Sequence, residues 1–369
     1  MKVLLCNDTG TKSHIGCQAV SNAHARMLGQ LGHKVVERYF VNELKGKKYD
    51  RFDDYIKAIE RNDTFMASLS KVDAVIVNGE GTIHHGAGLD LLAALVVAKR
   101  NRKATLLVNC LFQEVPIEAE TINSFDYFSV REPLSFEYAK SKGIRVQQNF
   151  DSILAAKFDA PTNPQRRSII AVTDWTKSSN SSVGKPSTIF LQSKNKSIDA
   201  EFFPLHSHEA RTRWQQALTI LAEHQAVVTS RHHGIYLALL AGAPVVVLKG
   251  NSWKAEGLLK QLRIDIPEAK NFQEALRQVR DITLLKDSFH NAREQLLEAS
   301  HLQHFSLLGQ GSDSSGVEEE LQHLNLQIVA KPKLIGKDQS SISRRRRQEL
   351  FWRLRLYPLQ TVCDRLMSR

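Results

Sequence analysis

Short apolar runs with strand character alternate with amphipathic stretches along the first 330 residues, and nothing else in the chain constrains its fold as tightly. Val3–Cys6, Val35–Phe40, Ala74–Asn78, Thr105–Val108 and Tyr127–Val130 read as strands. Between them lie helical patterns that include Gly16–Leu31, Leu89–Arg100 and Pro133–Lys142. Strands that alternate with helices of about 10–15 residues build βαβ units and a parallel sheet. The run Ala74–Val77 is apolar at every position, as a strand covered on both faces requires. Asp159–Gln165 breaks the pattern with two prolines among polar residues and reads as a linker. The alternation then restarts, with strands expected at Ile169–Val172, Ile189–Leu191, Val227–Thr229 and Val245–Leu248. Helices are expected at Ala210–Glu223, Gly234–Ala241, Ser252–Leu262 and Phe272–Leu302. The expected fold class is α/β, with two Rossmann-like domains, 1–158 and 166–330, facing across a cleft and followed by a basic amphipathic tail, 331–369.

Charge is distributed unevenly. The net charge is +11, and Lys331–Arg369 holds 11 Lys or Arg against 3 Asp or Glu, so +8 sits in the tail and +3 on the 330 residues before it. That describes a near-neutral body with a cationic tail, not a globally basic nucleic-acid binder, and no nucleic-acid partner is expected. In the tail, Arg344–Arg347 precede Leu350, Phe351, Trp352, Leu354 and Leu356, a composition suited to an anionic membrane surface. Packing of the tail back across the first domain is the alternative. The four cysteines form no Cys-x-x-Cys pair and are too few for a disulfide framework, so a reducing compartment is expected. Only Val3–Cys6 is apolar near the start, so no leader is expected. The longest apolar run, Leu91–Ala98, is far short of the ~20 residues that cross a bilayer.

In open parallel sheets ligands bind beyond the carboxyl ends of the strands, so the loops that follow strands carry the functional argument. The first, Asn7–Cys17, contains His14, with Gly10 and Gly16 allowing close backbone approach at a helix N-terminus. It is not a Gly-x-Gly-x-x-Gly fingerprint, and an Asx turn with a helix cap is its alternative reading. The second, Val77–His85, sets Glu80 between Gly79 and Gly81, where a ligand could lie against the backbone and Glu80 could anchor hydroxyls. His84 and His85 are adjacent, without the carboxylate–histidine spacing of a zinc site, so no metal site is assigned. In the third, Ser129–Pro133, Arg131 follows a strand and could reach an anion across the cleft, a surface ion pair being the alternative. The fourth, Val227–Leu248, carries the most chemistry: a strand runs into Ser230, Arg231, His232, His233 and Gly234 and then a helix. A guanidinium grips phosphate or carboxylate as a fork, and an imidazole two residues on can carry a proton at neutral pH.

With these segments in view, the chain resembles the polysaccharide pyruvyl transferase family over about residues 1–305. The matching positions are Ile15–Gly16, Asn78–Gly81, Arg131 with Ser135, Asn149–Ser152, Arg231-His232-His233-Gly234, Ala238 through Gly242 to Pro244, and Lys254 with Gly257. It departs from the family at His14-Ile15-Gly16-Cys17, where many members carry Asn-x-Gly-Asp, and at Asn-Gly-Glu-Gly, where others have three glycines. Ser230 also adjoins Arg231 without a spacer.

The resemblance implies a fold similar to the GT-B glycosyltransferases. It also implies transfer of an enolpyruvyl group from phosphoenolpyruvate to a sugar of a lipid-linked or polymeric surface glycan, giving a pyruvate ketal. Phosphoenolpyruvate would be a substrate, so no cofactor is expected. Its phosphate and carboxylate need at least two cationic grips, for which Arg231 and Arg131 are available, with Lys254 as a third and Ser230 beside them. Under this reading His233 is the general acid, acting with Arg231, and Glu80, Gly79, Gly81, His14 and Asp151 lie on the acceptor side. The expected location is the cytoplasm, at the inner face of the plasma membrane. One rival is a GT-B glycosyltransferase, which would bind a nucleotide sugar without competition from phosphoenolpyruvate. The other is a non-catalytic protein whose basic tail docks on nucleic acid.

Overall fold

The computed structural model describes residues 1–159, 165–174, 200–207, 210–301, 303–311 and 316–331. Six strands form the first sheet: β1 (Lys2–Asp8), β2 (Lys34–Phe40), β3 (Ala74–Glu80), β4 (Ala104–Cys110), β5 (Tyr127–Val130) and β6 (Gln147–Gln148). Their order is β2-β1-β3-β4-β5-β6 and every pairing is parallel. The second sheet has four strands: β7 (Arg167–Thr173), β8 (Ala200–Phe203), β9 (His224–Thr229) and β10 (Val245–Val247). Its order is β10-β9-β7-β8, again parallel throughout. All seven residues of β3 are buried, the first four of them, Ala74–Val77, being the unbroken apolar run that a strand covered on both faces requires. The edge strands β6 and β8 escape the sequence pattern: Gln147 and Gln148 are polar and exposed, and Ala200–Phe203 is short and only partly buried. The strand expected at Ile189–Leu191 lies outside the described residues.

Around the first sheet lie α1 (Ile15–Gln30), α2 (Phe52–Glu60), α3 (Asp63–Ser70), α4 (Leu89–Arg100), α5 (Ala119–Asn123) and α6 (Pro133–Ser141). Around the second lie α7 (Ala210–Arg213), α8 (Ala217–Ala222), α9 (His232–Leu240), α10 (Lys254–Gln261), α11 (Phe272–Asp281) and α12 (Lys286–Glu298). Every residue of α9 is buried, so this helix, apolar nearly all round, runs through the middle of the second half. The long helix expected at Phe272–Leu302 is divided by a 3₁₀ turn at Ile282–Leu285.

The chain does not end on the second sheet. Phe305 is fully buried among Met27, Leu28 and Ile76 beneath the first sheet, and the Gly311 N–H donates to the Leu31 carbonyl at 2.6 Å. The last helix among the described residues, α13 (Gly316–Val329), packs on α1 and β2. Both Glu320 oxygens accept the Val35 N–H, and the buried Arg38 guanidinium lies 2.6 Å from Asp8 and 3.6 Å from Glu320. Phe305, Gly311 and α13, assigned by sequence to the second unit, thus pack on the first. Amphipathicity reports that a helix has a buried face, not which body receives it.

Both sheets contain a point where the strand order reverses. In the first, β1 is flanked by β2 and β3; in the second, β7 is flanked by β8 and β9. Parallel sheets open a crevice at such points, at the carboxyl ends of the strands. Apolar residues of α1 (Ile15, Ala19 and Val20), together with Ile153 and Leu154, share one core with the second half. Glycines permit the closest crossings. A Cβ on Gly16 would overlap the His233 ring, and one on Gly257 would overlap the Glu132 carboxylate.

Candidate active site

The loops after β1, β3, β5, β7 and β9 meet around His233. On the first half, the strand ends are laced by buried amides. Asn7 Nδ2 donates to the Asn78 carbonyl at 2.6 Å, Asn78 Nδ2 donates to Glu80 Oε2 at 3.1 Å, and Asn109 Nδ2 donates to Asn78 Oδ1 at 3.4 Å. Asn7, Glu80 and Asn109 all have left-handed backbones, at φ 59°, 33° and 55°. Asparagine tolerates this region; glutamate does so only when its surroundings hold it there. Glu80 is held by Asn78 and by the Cys17 thiol, 3.5 Å from Oε1. Burial, reinforced by Glu80, pushes the Cys17 thiol pKa up, so it is a neutral donor and not a nucleophile.

On the second half, His233 sits in the first turn of α9. Its Nε2 lies 3.8 Å from Glu80 Oε1 and 3.5 Å from Asp151 Oδ2, is buried, and has no hydrogen-bond partner among the described residues. Its ring faces that of His14 at 5.8 Å. His14 occupies the N-cap of α1, and burial pushes its pKa well below the ordinary histidine value, leaving a neutral imidazole. His232, beside it, donates from Nδ1 to the Lys254 carbonyl at 3.0 Å and sets its Nε2 3.5 Å from the same Asp151 oxygen, and burial together with Arg131 pulls its pKa down to about 3.

Three cations surround this group. Arg131 follows β5 and is buried, with Nη1 2.5 Å from Asp151 Oδ2. Burial alone would raise the Asp151 pKa, yet the Arg131 guanidinium holds it well below the usual carboxylate range. Arg231 follows β9 and donates from Nε and Nη2 to Asp174 Oδ2 at 3.1 and 2.8 Å. Lys254 opens α10; burial, then Arg131 and Arg231, bring its pKa down to about 8. His84 is pushed down to about 4 by burial and by Lys254. Positive groups thus press on one another in this cleft.

Several residues expected on the acceptor side are placed differently. Asp151 is fully buried, with Oδ1 accepting the Ile153 N–H at 2.9 Å and Oδ2 facing Arg131, so it presents no atom to a sugar. Gly79 backs onto Cys110, which its absent Cβ would strike, so its role is strand packing. Gly81 lies over Arg131, whose Nη2 is 3.5 Å from the position a Cβ would take. Ser230 is buried at the strand end. Arg131 is no surface ion pair, and its burial makes it a source of positive field more than a contact. Glu80, His14, Arg231, His233 and Lys254 are brought together as the sequence suggested. Sequence reasoning missed Asp174, His206 and the asparagine lacing. Asp174 directly follows β7, outside the four loops that carried the functional argument. No group of three or more His, Cys, Asp or Glu suited to a metal ion occurs among the described residues.

A family model described as polysaccharide pyruvyl transferase matches residues 14–252, a span that takes in His14, Glu80, Arg131, Asp174, Arg231 and His233. The chain belongs to the polysaccharide pyruvyl transferase family. It is therefore a transferase of polysaccharide biosynthesis. No curated protein matches the sequence. Solved structures support the fold. A UDP-GlcNAc 2-epimerase from Neisseria meningitidis bound to UDP-GlcNAc aligns with a TM-score of 0.53 at 14% identity, covering 84% of this chain and 100% of its own. A putative UDP-N-acetylglucosamine 2-epimerase from Listeria monocytogenes aligns at 0.50 and 14% identity, covering 85% and 98%. UGT89C1 of Arabidopsis thaliana, complexed with UDP-L-rhamnose, aligns at 0.50 and 11% identity, covering 88% and 98%. At these identities the likeness is one of fold: this family member has the two-sheet GT-B-like architecture. No helix among the described residues is long and apolar enough to cross a membrane.

Proposed function

We propose that this pyruvyl transferase moves the enolpyruvyl group of phosphoenolpyruvate onto a sugar of a surface polysaccharide or its lipid-linked precursor, forming a pyruvate ketal. The observation that carries the reading is the crowding of Arg231, Lys254 and the buried Arg131 around His233, with Lys254 brought down to about 8 by burial and by the two arginines. A small donor with a phosphate at one end and a carboxylate at the other would relieve that crowding. Arg231 and Lys254 are the grips able to touch it, and Arg131 adds field from behind.

The chemistry then runs in balanced steps. His233 delivers a proton to the methylene carbon, which becomes a methyl group, while positive charge develops at C2. An acceptor hydroxyl adds to C2 and its proton returns to His233. The C2–O bond to phosphate breaks, and a second hydroxyl closes the ketal as its proton leaves with phosphate. Glu80, 3.8 Å from His233 Nε2, stands where it can receive a hydroxyl. The acceptor's lipid anchor gives the basic tail its purpose at the anionic inner face of the membrane, although Lys333–Arg369 lies outside the described residues. Incubation with phosphoenolpyruvate and a panel of lipid-linked glycans tests the reading. Phosphate release with the mass gain of one pyruvate ketal is expected. Hexose incorporation from a nucleotide sugar, unaffected by phosphoenolpyruvate, would overturn it in favour of a glycosyltransferase.

A further inference from the structure

We propose that Asp174 is a positioning residue for Arg231, aiming its guanidinium at the anionic end of the donor; the inference rests on the donor reading above. Arg231 is anchored to Asp174 twice, through Nε at 3.1 Å and Nη2 at 2.8 Å, both on Oδ2. That leaves Nη1 without a hydrogen bond among the described residues, on a side chain that is 22% exposed. A fork clamped along one edge presents its other edge in a fixed direction, and an anion then binds without first ordering a long side chain.

Asp174 is itself held on its other oxygen. Its Oδ1 accepts the N–H groups of Leu205 at 2.7 Å and His206 at 3.2 Å. The Thr173 hydroxyl donates to the Asp174 carbonyl at 3.1 Å and meets the Thr229 hydroxyl across the β7–β9 pair at 2.7 Å, while Thr229 Oγ1 accepts the Arg231 N–H at 3.0 Å. Burial alone would raise the Asp174 pKa, but the Arg231 guanidinium, helped by the Leu205 N–H, holds it down, so the clamp stays ionised.

The segment that fixes Asp174 also fixes the other half of the cleft. The Leu205 carbonyl accepts the Ile15 N–H at 2.8 Å, and the Ser13 carbonyl accepts the Ser207 N–H at 3.0 Å and His206 Nδ1–H at 2.7 Å. One carboxylate therefore sets Arg231 and the bridge to the start of α1 together. Its negative charge also offsets part of the arginine's attraction for anions. For a partly exposed pair that offset is screened by solvent, whereas losing both anchors frees the whole side chain.

The test compares Asp174→Asn with Asp174→Glu and with Arg231→Gln in the full chain. Asparagine keeps an oxygen for Leu205 and His206 but turns an amide N–H toward the guanidinium. The KM for phosphoenolpyruvate and the Kd of inorganic phosphate, used as a probe, should each rise about tenfold in Asp174→Asn. The kcat and acceptor KM should stay within about twofold, and Asp174→Glu should recover part of the loss. In the Arg231→Gln background, Asp174→Asn should cost nothing further. Additive losses, an unchanged or tighter phosphate Kd, or a wild type whose phosphate binding does not depend on Arg231 would overturn the proposal. So would equal damage to donor KM, acceptor KM and thermal stability. If the wild type binds phosphate through Arg231 yet releases none from phosphoenolpyruvate, it is the pyruvyl-transfer reading that fails, and the phosphate comparison still decides this one.

Discussion

Two arginines leave two strands in the two halves of the molecule, and each meets one aspartate. Arg131 and Asp151 are 2% and 0% exposed, with 2.5 Å between them. Arg231 and Asp174 are 22% and 9% exposed, with 2.8 Å between them. The chemistry is the same and the surroundings are opposite. A sealed pair cannot change partners without leaving a bare charge in a low-dielectric interior, so it serves as an anchor. A pair open to the cleft can share its guanidinium with an arriving anion at small cost. On the proposed reading, burial divides the roles: one arginine, through Asp151, holds His232 and His233 in place, and the other meets the donor.

The sharpest way to break this comparison acts on the group that both pairs surround. His233→Ala should lower turnover by about 10²–10⁴, the usual cost of losing a positioned general acid, with the phosphoenolpyruvate KM changed only a few-fold. Single-turnover phosphate release with saturating acceptor measures it. Near wild-type turnover would take the proton transfer away from this histidine.

Next in size is the sealed pair. Arg131→Leu should cost about 3–5 kcal/mol of folding stability, because Asp151 is left buried without its guanidinium. Denaturant unfolding measures the loss. A shift below about 1 kcal/mol would mean that Arg131 is no anchor and would return it to the list of substrate grips.

The open pair should respond in the reverse sense. Arg231→Lys keeps the charge but not the fork, so phosphoenolpyruvate binding by calorimetry should weaken by about tenfold or more while stability moves by less than about 1 kcal/mol. An unchanged dissociation constant alongside a large stability loss would make the two arginines equivalent.

The contrast between the pairs was half legible in the sequence. Position after a strand singled out Arg131 and Arg231 together, and chain order with apolar runs gave both sheets except the edges β6 and β8, whose residues carry no alternation or burial signal of their own. What sequence could not separate was burial. Arg131 is fully buried against Asp151, twenty residues on, with Glu80 and with Tyr236 of α9 in the other half close enough to bear on its charge, none of them local. Asp174 looked like any polar residue ending a strand, because its meaning comes from Arg231, 57 positions away. The asparagines of the first half were invisible for a related reason: an asparagine at a strand end reads as a turn, and only the register of β1, β3 and β4 sets Asn7, Asn78 and Asn109 side by side.

The smallest expected effect concerns pH and again divides sealed from open. Behind the Arg131–Asp151 pair lie two buried histidines. His24 Nε2 is 2.9 Å from the Ser152 hydroxyl, and His304 Nδ1 is 3.4 Å from Asn149 Nδ2, with no partner for its Nε2 among the described residues. Burial pulls His24 down to about 4 and His304 down to about 3. Unfolded, each would titrate near 6.5, so below that value the unfolded chain binds more protons than the folded one and stability falls as pH falls. Between pH 6.5 and 5.5, while both stay neutral in the fold, each should cost about 1 kcal/mol. His304→Leu should remove one such contribution, flattening the acid limb of a stability–pH curve without moving the phosphoenolpyruvate KM at neutral pH. Leucine fills much of the ring's volume beside Phe305, and the group it leaves behind, Asn149, keeps its donor bond to the Tyr127 hydroxyl at 3.1 Å. An acid limb as steep as the wild type's would show that the histidines behind the sealed pair already hold their protons, and the division between a charged open cleft and a neutral sealed backing would not stand.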